Sequence, residues 1–232
     1  MKLSIVVPCY NEAKNIPLIL SRFSEVVKRD DVEIIIVNNN SKDDTGAILS
    51  AELLKYSFAK SIFEPVPGYG SAVLAGLKIA KGEFIGWTHG DMQTPPSDII
   101  RALEIIERSD EKNVYIKGNR KGRPFFDSFF TFGMSVFESI YFCGFYYDIN
   151  AQPNIFHRSF FEKWINPPLD FSFDLYSFYM AKKLNMKIIR FPVIFPKRIY
   201  GESSWNKDWQ SKWRFIKRTI TFSLGLKRII LK

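Results

Sequence analysis

The chain has 232 residues, 46% hydrophobic and 25% charged, with two cysteines and a formal charge of +9. That length supports one large core, and the composition excludes disordered, collagenous and disulfide-scaffold classes. The charge is polarised: residues 182–232 hold 14 Lys/Arg against two acids, Glu202 and Asp208, leaving the segment at +12 and the rest at −3.

Leu3–Val7 is a β-branched run closed by Pro8, and Glu33–Val37, Lys60–Phe63, Glu83–Thr88 and Val114–Lys117 repeat the pattern. Helical stretches near 14–28, 42–54, 69–80 and 96–108 separate them. In the last, Ile99, Ile100, Leu103 and Ile106 recur at helical spacing behind Pro95 and Pro96. Strands alternating with helices predict an α/β fold with a mostly parallel central sheet and helices on both faces. Ligands of such sheets sit beyond the carboxyl ends of the strands. Pro124–Asp148 then carries eight phenylalanines and three tyrosines, broken by Asp127 and Glu138, and reads as an amphipathic helix, either buried or facing lipid. Trp209–Lys232 reads as a second such helix. Trp209, Trp213, Ile216, Ile220 and Leu224 form one stripe, and Phe215, Phe222, Leu226 and Ile229 an opposite one, with basic residues between.

Cys9 and Cys143 read as buried thiols in a reducing compartment. No uncharged apolar run approaches the roughly 20 residues of a membrane-spanning helix, and the N-terminal apolar stretch is too short for a secretory signal. The expectation is a cytoplasmic protein whose basic end meets an anionic partner: nucleic acid, acidic lipid or a phosphorylated substrate.

Beyond the first strand, Pro8-Cys-Tyr-Asn-Glu12 contains no glycine. A dinucleotide site needs G-x-G-x-x-G there, so nicotinamide and flavin chemistry is excluded, and no P-loop pattern occurs. Beyond the fourth strand, His89-Gly-Asp91-Met-Gln93-Thr-Pro-Pro96 places a carboxylate among nitrogen and oxygen donors at alternate positions. That suits a hard divalent cation held against a diphosphate, although a turn carboxylate and a structural imidazole would look the same.

Taken in order, Val6–Glu12, Ile34–Thr45 (with Asn38-Asn-Asn-Ser-Lys-Asp-Asp), Gly68-Tyr-Gly-Ser-Ala-Val-Leu-Ala-Gly76, Gly90–Pro96, Gly118-Asn-Arg120, Asp148-Ile-Asn-Ala-Gln-Pro153 and Arg198–Ser203 resemble family 2 glycosyltransferases. The branch they resemble includes dolichyl-phosphate mannose synthase and bacterial polyprenyl-phosphate glycosyltransferases. The resemblance implies a GT-A fold over 1–205, a Rossmann-like α/β nucleotide-sugar domain, followed by a basic amphipathic helix at 206–232.

It also implies roles for individual residues. Pro8, Tyr10, Glu12, Asn38, Asn39, Gly68 and Gly70 match the nucleotide-binding segments. Asn38 and Asn39 stand where the family commonly has two acidic residues, and an amide can donate as well as accept. Asp91 matches the second carboxylate of a D-x-D metal motif, with Gln93 after it and His89 replacing the first carboxylate; the implied ion is Mn2+ or Mg2+. Arg120, Asp148, Gln152, Arg198 and Ser203 match the sugar and phosphate region. Ser204 stands where a lysine is common, and Lys207 is a candidate to supply that charge.

The implied activity is inverting transfer from a nucleotide sugar, with a polyprenyl phosphate as acceptor at the cytoplasmic membrane face. The expected partners are the donor, the lipid phosphate, an anionic membrane surface and a small membrane protein, not nucleic acid. Asp91 and Arg120 would stabilise the departing diphosphate, with Asp148 beside them. A saccharide hydroxyl acceptor would instead need a base, for which Asp174 is the candidate, otherwise a helix N-cap. A non-catalytic nucleotide-sugar binder is the alternative that His89, Asn38 and Asn39 keep open.

Overall fold

A computed structural model of the chain describes residues 1–109, 111–122, 125–196, 200 and 209–230, with backbone alone at 125–131, 209–212, 215 and 227–230. Seven strands form one sheet in the order β3-β2-β1-β4-β6-β5-β7. They are β1 (Leu3–Cys9), β2 (Val32–Asn38), β3 (Ala59–Phe63), β4 (Phe84–Trp87), β5 (Val114–Lys121), β6 (Asn154–His157) and β7 (Lys187–Ile194). All pairings are parallel except those of β6, which runs antiparallel between β4 and β5.

The central strands read as unbroken apolar runs because both faces are covered. On β2, Ile34 and Ile36 enter one core with Leu20, Phe23 and Leu103, while Ile35 and Val37 enter the other with Val73, Trp87 and Phe178. Helices α1 (Ile16–Val26), α2 (Thr45–Glu52) and α4 (Ser97–Ser109) cover the first face. Helices α3 (Tyr69–Ile79) and α7 (Phe173–Lys183) cover the second; α6 (Arg158–Phe161) is one turn after β6.

The five strands and four helices expected from periodicity are present, with ends shifted by a few residues. β5 runs four residues beyond its expected end, and β6 and β7 were not expected. β6 has only four residues, and β7 contains Pro192, which cannot donate to a ladder. Pro192 is tolerated because β7 is an outer strand, paired among the described residues with β5 alone.

The aromatic segment is helix α5 (Phe125–Tyr141), and over its described side chains, from Phe132 onward, the burial is inverted. Ser135 and Glu138 are buried, whereas Phe132, Val136 and Ile140, spaced four apart, are 58%, 41% and 73% exposed. Phe145 beyond it is equally exposed at 73%. Buried apolar packing is therefore not the explanation of this stripe. The last helix, α8 (Trp209–Ile230), docks through the second expected stripe: Leu226 is buried, Phe222 is half-buried, and Ser223 donates to Glu138 Oε1 at 2.7 Å. Trp213 and Leu224 of the first stripe face outward. No described helix is long and apolar enough to cross a membrane. Of the two thiols, Cys9 is buried but Cys143 is exposed, because it follows the end of α5 in a left-handed turn (φ 52°).

Burial pushes the Glu138 carboxyl up to about 7, against the Ser223 hydrogen bond. A carboxyl raised in the folded state holds its proton more tightly there than in the unfolded chain. Stability therefore falls as pH rises from the ordinary glutamate value to about 7. Glu138→Gln is expected to stabilise the protein by about 2 kcal/mol at pH 8 and to change little at pH 4.5. Thermal melts at both pH values check this, and equal shifts at the two would refute it.

Candidate active site

Three strand ends bring together the residues expected to meet the nucleotide. Asn39 N donates to Cys9 O at 2.8 Å, tying the exits of β1 and β2. The β1 exit carries Pro8, exposed Tyr10 and Glu12. It is knitted to the 41–45 turn by Asn11 N to Ser41 Oγ, Lys42 N to Asn11 Oδ1 and Glu12 N to Thr45 Oγ1. Asn11 adopts φ 56°, which suits asparagine. Asn38 Oδ1 accepts from Ser41 N at 3.1 Å. Asn39 is nearly buried and spends both ends of its amide on the following loop: Nδ2 donates to Val66 O at 2.7 Å, and Oδ1 accepts from Gly68 N at 2.8 Å. An ionised aspartate could not make the first of these bonds, so the amide fits its place.

Gly68 and Gly70 open α3. A Cβ on Gly70 would lie 2.4 Å from Pro168 O, so the close approach it permits is to the 168–170 backbone. This differs from a cradle for phosphate.

The β4 exit continues the ladder through Thr88 N to Val6 O, at 3.0 Å, and then folds over β1. Gly90 sits where a Cβ would be 2.7 Å from Pro8 O, and Met92 is buried with φ 64°. Asp91 is buried, and its Oδ1 accepts from Gln93 N at 3.1 Å. Gln93 Nε2 donates to Pro196 O at 3.0 Å. Phe195 then joins this loop to the end of β5: the His89 ring lies 6.0 Å from it and the Arg120 guanidinium 5.3 Å.

The antiparallel run of β6 brings together the residues expected to meet the sugar. Its start, not its end, lies beside the carboxyl ends of β4 and β5, which brings residues 148–154 to the same rim. Arg120 donates from its backbone to Asp148 Oδ2 at 2.9 Å and from Nε to Oδ1 at 2.7 Å, with Nη2 also on Oδ1. Burial would raise the Asp148 carboxyl, but the Arg120 charge and hydrogen bonds outweigh it and hold it below its ordinary value. Gln152 Nε2 reaches the Tyr69 hydroxyl at 2.5 Å. Asp174 is not the N-cap of α7, a position Ser172 occupies. It is buried in the floor, accepting from Trp87 Nε1 at 3.0 Å and Asn154 Nδ2 at 3.2 Å. Burial raises its pKa, opposed by the charge of Lys117.

Arg198, Ser203 and Lys207 lie outside the described residues. Sequence reasoning missed Tyr69, Trp87, Lys117, Asn154 and Arg190. Tyr69 lies between two glycines of a matched segment, and Lys117 closes an expected strand with no motif of its own. Arg190 donates to Tyr147 O, Gly118 O and Asp148 O, and no motif marked it.

Among the described residues no group of three or more His, Cys, Asp or Glu could hold a metal alone. Asp91, His89 and Gln93 supply one carboxylate, one imidazole and one amide oxygen. That donor set fits an ion that takes its remaining ligands from a diphosphate.

The chain is 31% identical over 122 residues to an undecaprenyl-phosphate 4-deoxy-4-formamido-L-arabinose transferase of Pseudomonas fluorescens, covering 51% of this chain and 36% of that one. A dolichol-phosphate mannosyltransferase of Pyrococcus furiosus is 29% identical over 130 residues, 54% of this chain and 37% of the relative. The match thus spans little more than a third of these relatives' length. Glucosyl-3-phosphoglycerate synthase of Mycobacterium tuberculosis with UDP superposes with TM-score 0.73 at 16% identity, over 97% of this chain and 79% of that one. A mannosyltransferase of Pyrobaculum calidifontis with GDP-Man and Mn2+ gives 0.63 at 21%, over 86% and 58%. The fold is that of these nucleotide-sugar enzymes, and with residues 4–184 matching the family model, the chain belongs to glycosyl transferase family 2.

Proposed function

We propose that the chain transfers a sugar from a nucleoside-diphosphate sugar to a polyprenyl phosphate, as a peripheral enzyme at the cytoplasmic face of an anionic membrane. The observation that carries the lipid acceptor is the inverted burial of α5, whose apolar stripe faces outward while Ser135 Oγ accepts from Asp148 N at the site rim. The names of the two curated relatives point to the same acceptor class. Helix α8 adds outward Trp213 and the exposed bases Arg214, Lys217 and Arg218, a mix suited to acidic headgroups.

Transfer builds positive charge on the sugar ring and negative charge on the departing diphosphate. Asp91, His89 and Gln93 would hold a Mn2+ or Mg2+, which supplies neutralising charge to that diphosphate when bound. Arg120 brings a fixed cation to the same rim, and Asp148 prevents it from swinging away. Pro8, Tyr10, Glu12 and Asn38 frame the nucleotide, with Asn39 shaping the loop beside them. A polyprenyl phosphate oxygen is already anionic, so no strong base is required. A base would be needed for a saccharide hydroxyl, and Asp174, enclosed in the floor, is badly placed to serve. In-line attack inverts the anomeric centre.

The test is a mass spectrum of polyprenyl phosphate in anionic vesicles after incubation with the protein, Mn2+ and a set of UDP- and GDP-sugars. The lipid is expected to gain one sugar mass, and the protein to float with the vesicles at low salt. Unmodified lipid with nucleoside diphosphate released would move the acceptor elsewhere; neither signal from folded protein would overturn the reading.

A further inference from the structure

Lys117 is fully buried on β5, yet the chemistry above leaves it no task. Its Nζ donates to Ala151 O at 2.8 Å and to Asn154 Oδ1 at 2.7 Å, and lies 5.5 Å from the centre of the Phe178 ring. Ala151 and Asn154 bracket Gln152, so one ammonium holds both ends of the turn that carries that residue. Asn154 Nδ2 passes the contact on to Asp174, which also accepts from Trp87, while Gln152 itself reaches the Tyr69 hydroxyl. The charged and titratable groups facing Lys117 are Asp174 from α7, Arg190 from β7, and Asp148 and Arg120 at the rim.

A buried cation is costly, and a strand position facing a core would ordinarily hold an aliphatic side chain. What the cost secures is the setting of Gln152. With Nε2 committed to Tyr69, its Oε1 is buried and has no hydrogen-bond partner among the described residues. An orphaned acceptor held this firmly calls for a donor. On the proposed transferase reading, the hydroxyls of the donor sugar are the donors that reach this rim.

We propose that Lys117 is a positioning residue for the sugar half of the donor site, fixing the Ala151–Asn154 turn so that Gln152 Oε1 meets a hydroxyl of the sugar and not the nucleotide. The inference rests on the transferase reading. Its signature is a split between two ligands: Lys117 acts on the sugar but not on the diphosphate or base.

The experiment is calorimetric titration, with Mn2+, of wild type and Lys117→Met. The probes are UDP and GDP, and then the hexose conjugate of whichever nucleotide wild type binds more tightly. The variant is expected to bind the free diphosphate as wild type does and the nucleotide sugar about tenfold more weakly. Equal loss for both ligands would reduce Lys117 to a structural role, and unchanged affinity for the sugar conjugate would overturn the proposal. Wild type that binds neither nucleotide would overturn the transferase reading itself, a result distinct from the other two. If Lys117→Met does not fold, Lys117→Met/Asp174→Asn takes its place. It removes both buried charges while keeping an amide oxygen for Trp87 and Asn154, and the same split is expected.

Discussion

Asp148→Ala is expected to destabilise the protein by about 3–5 kcal/mol, the usual consequence of stranding one member of a buried ion pair. Arg120 and Asp148 side chains are 8% and 3% exposed, so water does not replace the lost carboxylate. Three donors of Arg120, one of them its backbone N–H, lose their acceptor together. For a chain of this size the loss is read as a drop in melting temperature of about 10 °C. Turnover should fall by at least about two orders of magnitude, since an untethered guanidinium no longer meets the developing charge where it forms. Acid adds an independent check. The Asp148 carboxyl is depressed in the folded state, so its contribution is complete above the ordinary aspartate value and disappears as pH falls through the depressed one. Wild type should therefore lose stability on acidification more steeply than the variant. A melting temperature within about 2 °C of wild type would show that the pair does not hold this part of the site.

Asp91→Asn is expected to lower turnover by about two to three orders of magnitude while leaving the fold intact. The contrast with Asp148 is in what each carboxylate holds. Asp91 Oδ1 accepts the Gln93 N–H, a bond that an amide oxygen can keep, whereas the negative charge offered to a cation is lost. Because His89 already replaces a carboxylate, Asp91 is the only anionic side chain in the His89–Gln93 segment. The variant should also need more Mn2+ to reach half its maximal rate. Nucleoside diphosphate release across a manganese series, paired with a melt, checks both. Full turnover by a normally folded Asp91→Asn protein would remove the metal role assigned here.

The half of the site proposed for the nucleotide is legible in the sequence because it is local. Pro8–Glu12, Asn38–Asn39 and His89–Gln93 each follow a strong apolar run within a few residues, so locating the strand locates the chemistry. The half proposed for the sugar is less so. Its residues depend on β6, four residues long and reversed in direction, and on an edge strand that contains a proline. Periodicity is too short to detect the first and is broken in the second. Asp174 shows the same limit: spacing places it at the start of a helix, but only packing against Trp87 and Asn154 makes it part of the floor. The faces of α5 were equally beyond pattern. The segment reads as an amphipathic helix either buried or facing lipid, and the buried residues among its described side chains are Ser135 and Glu138, which serve Asp148 and α8.

The proline of β7 bears on how copies of this chain meet each other. A free sheet edge recruits a neighbouring strand through its row of N–H and C=O groups, the usual route to fibrous aggregates. Pro192 interrupts that row, and Arg190, two residues earlier, turns its charged head inward to the carbonyls of Gly118 and Asp148. On this side the sheet is blunted against extension.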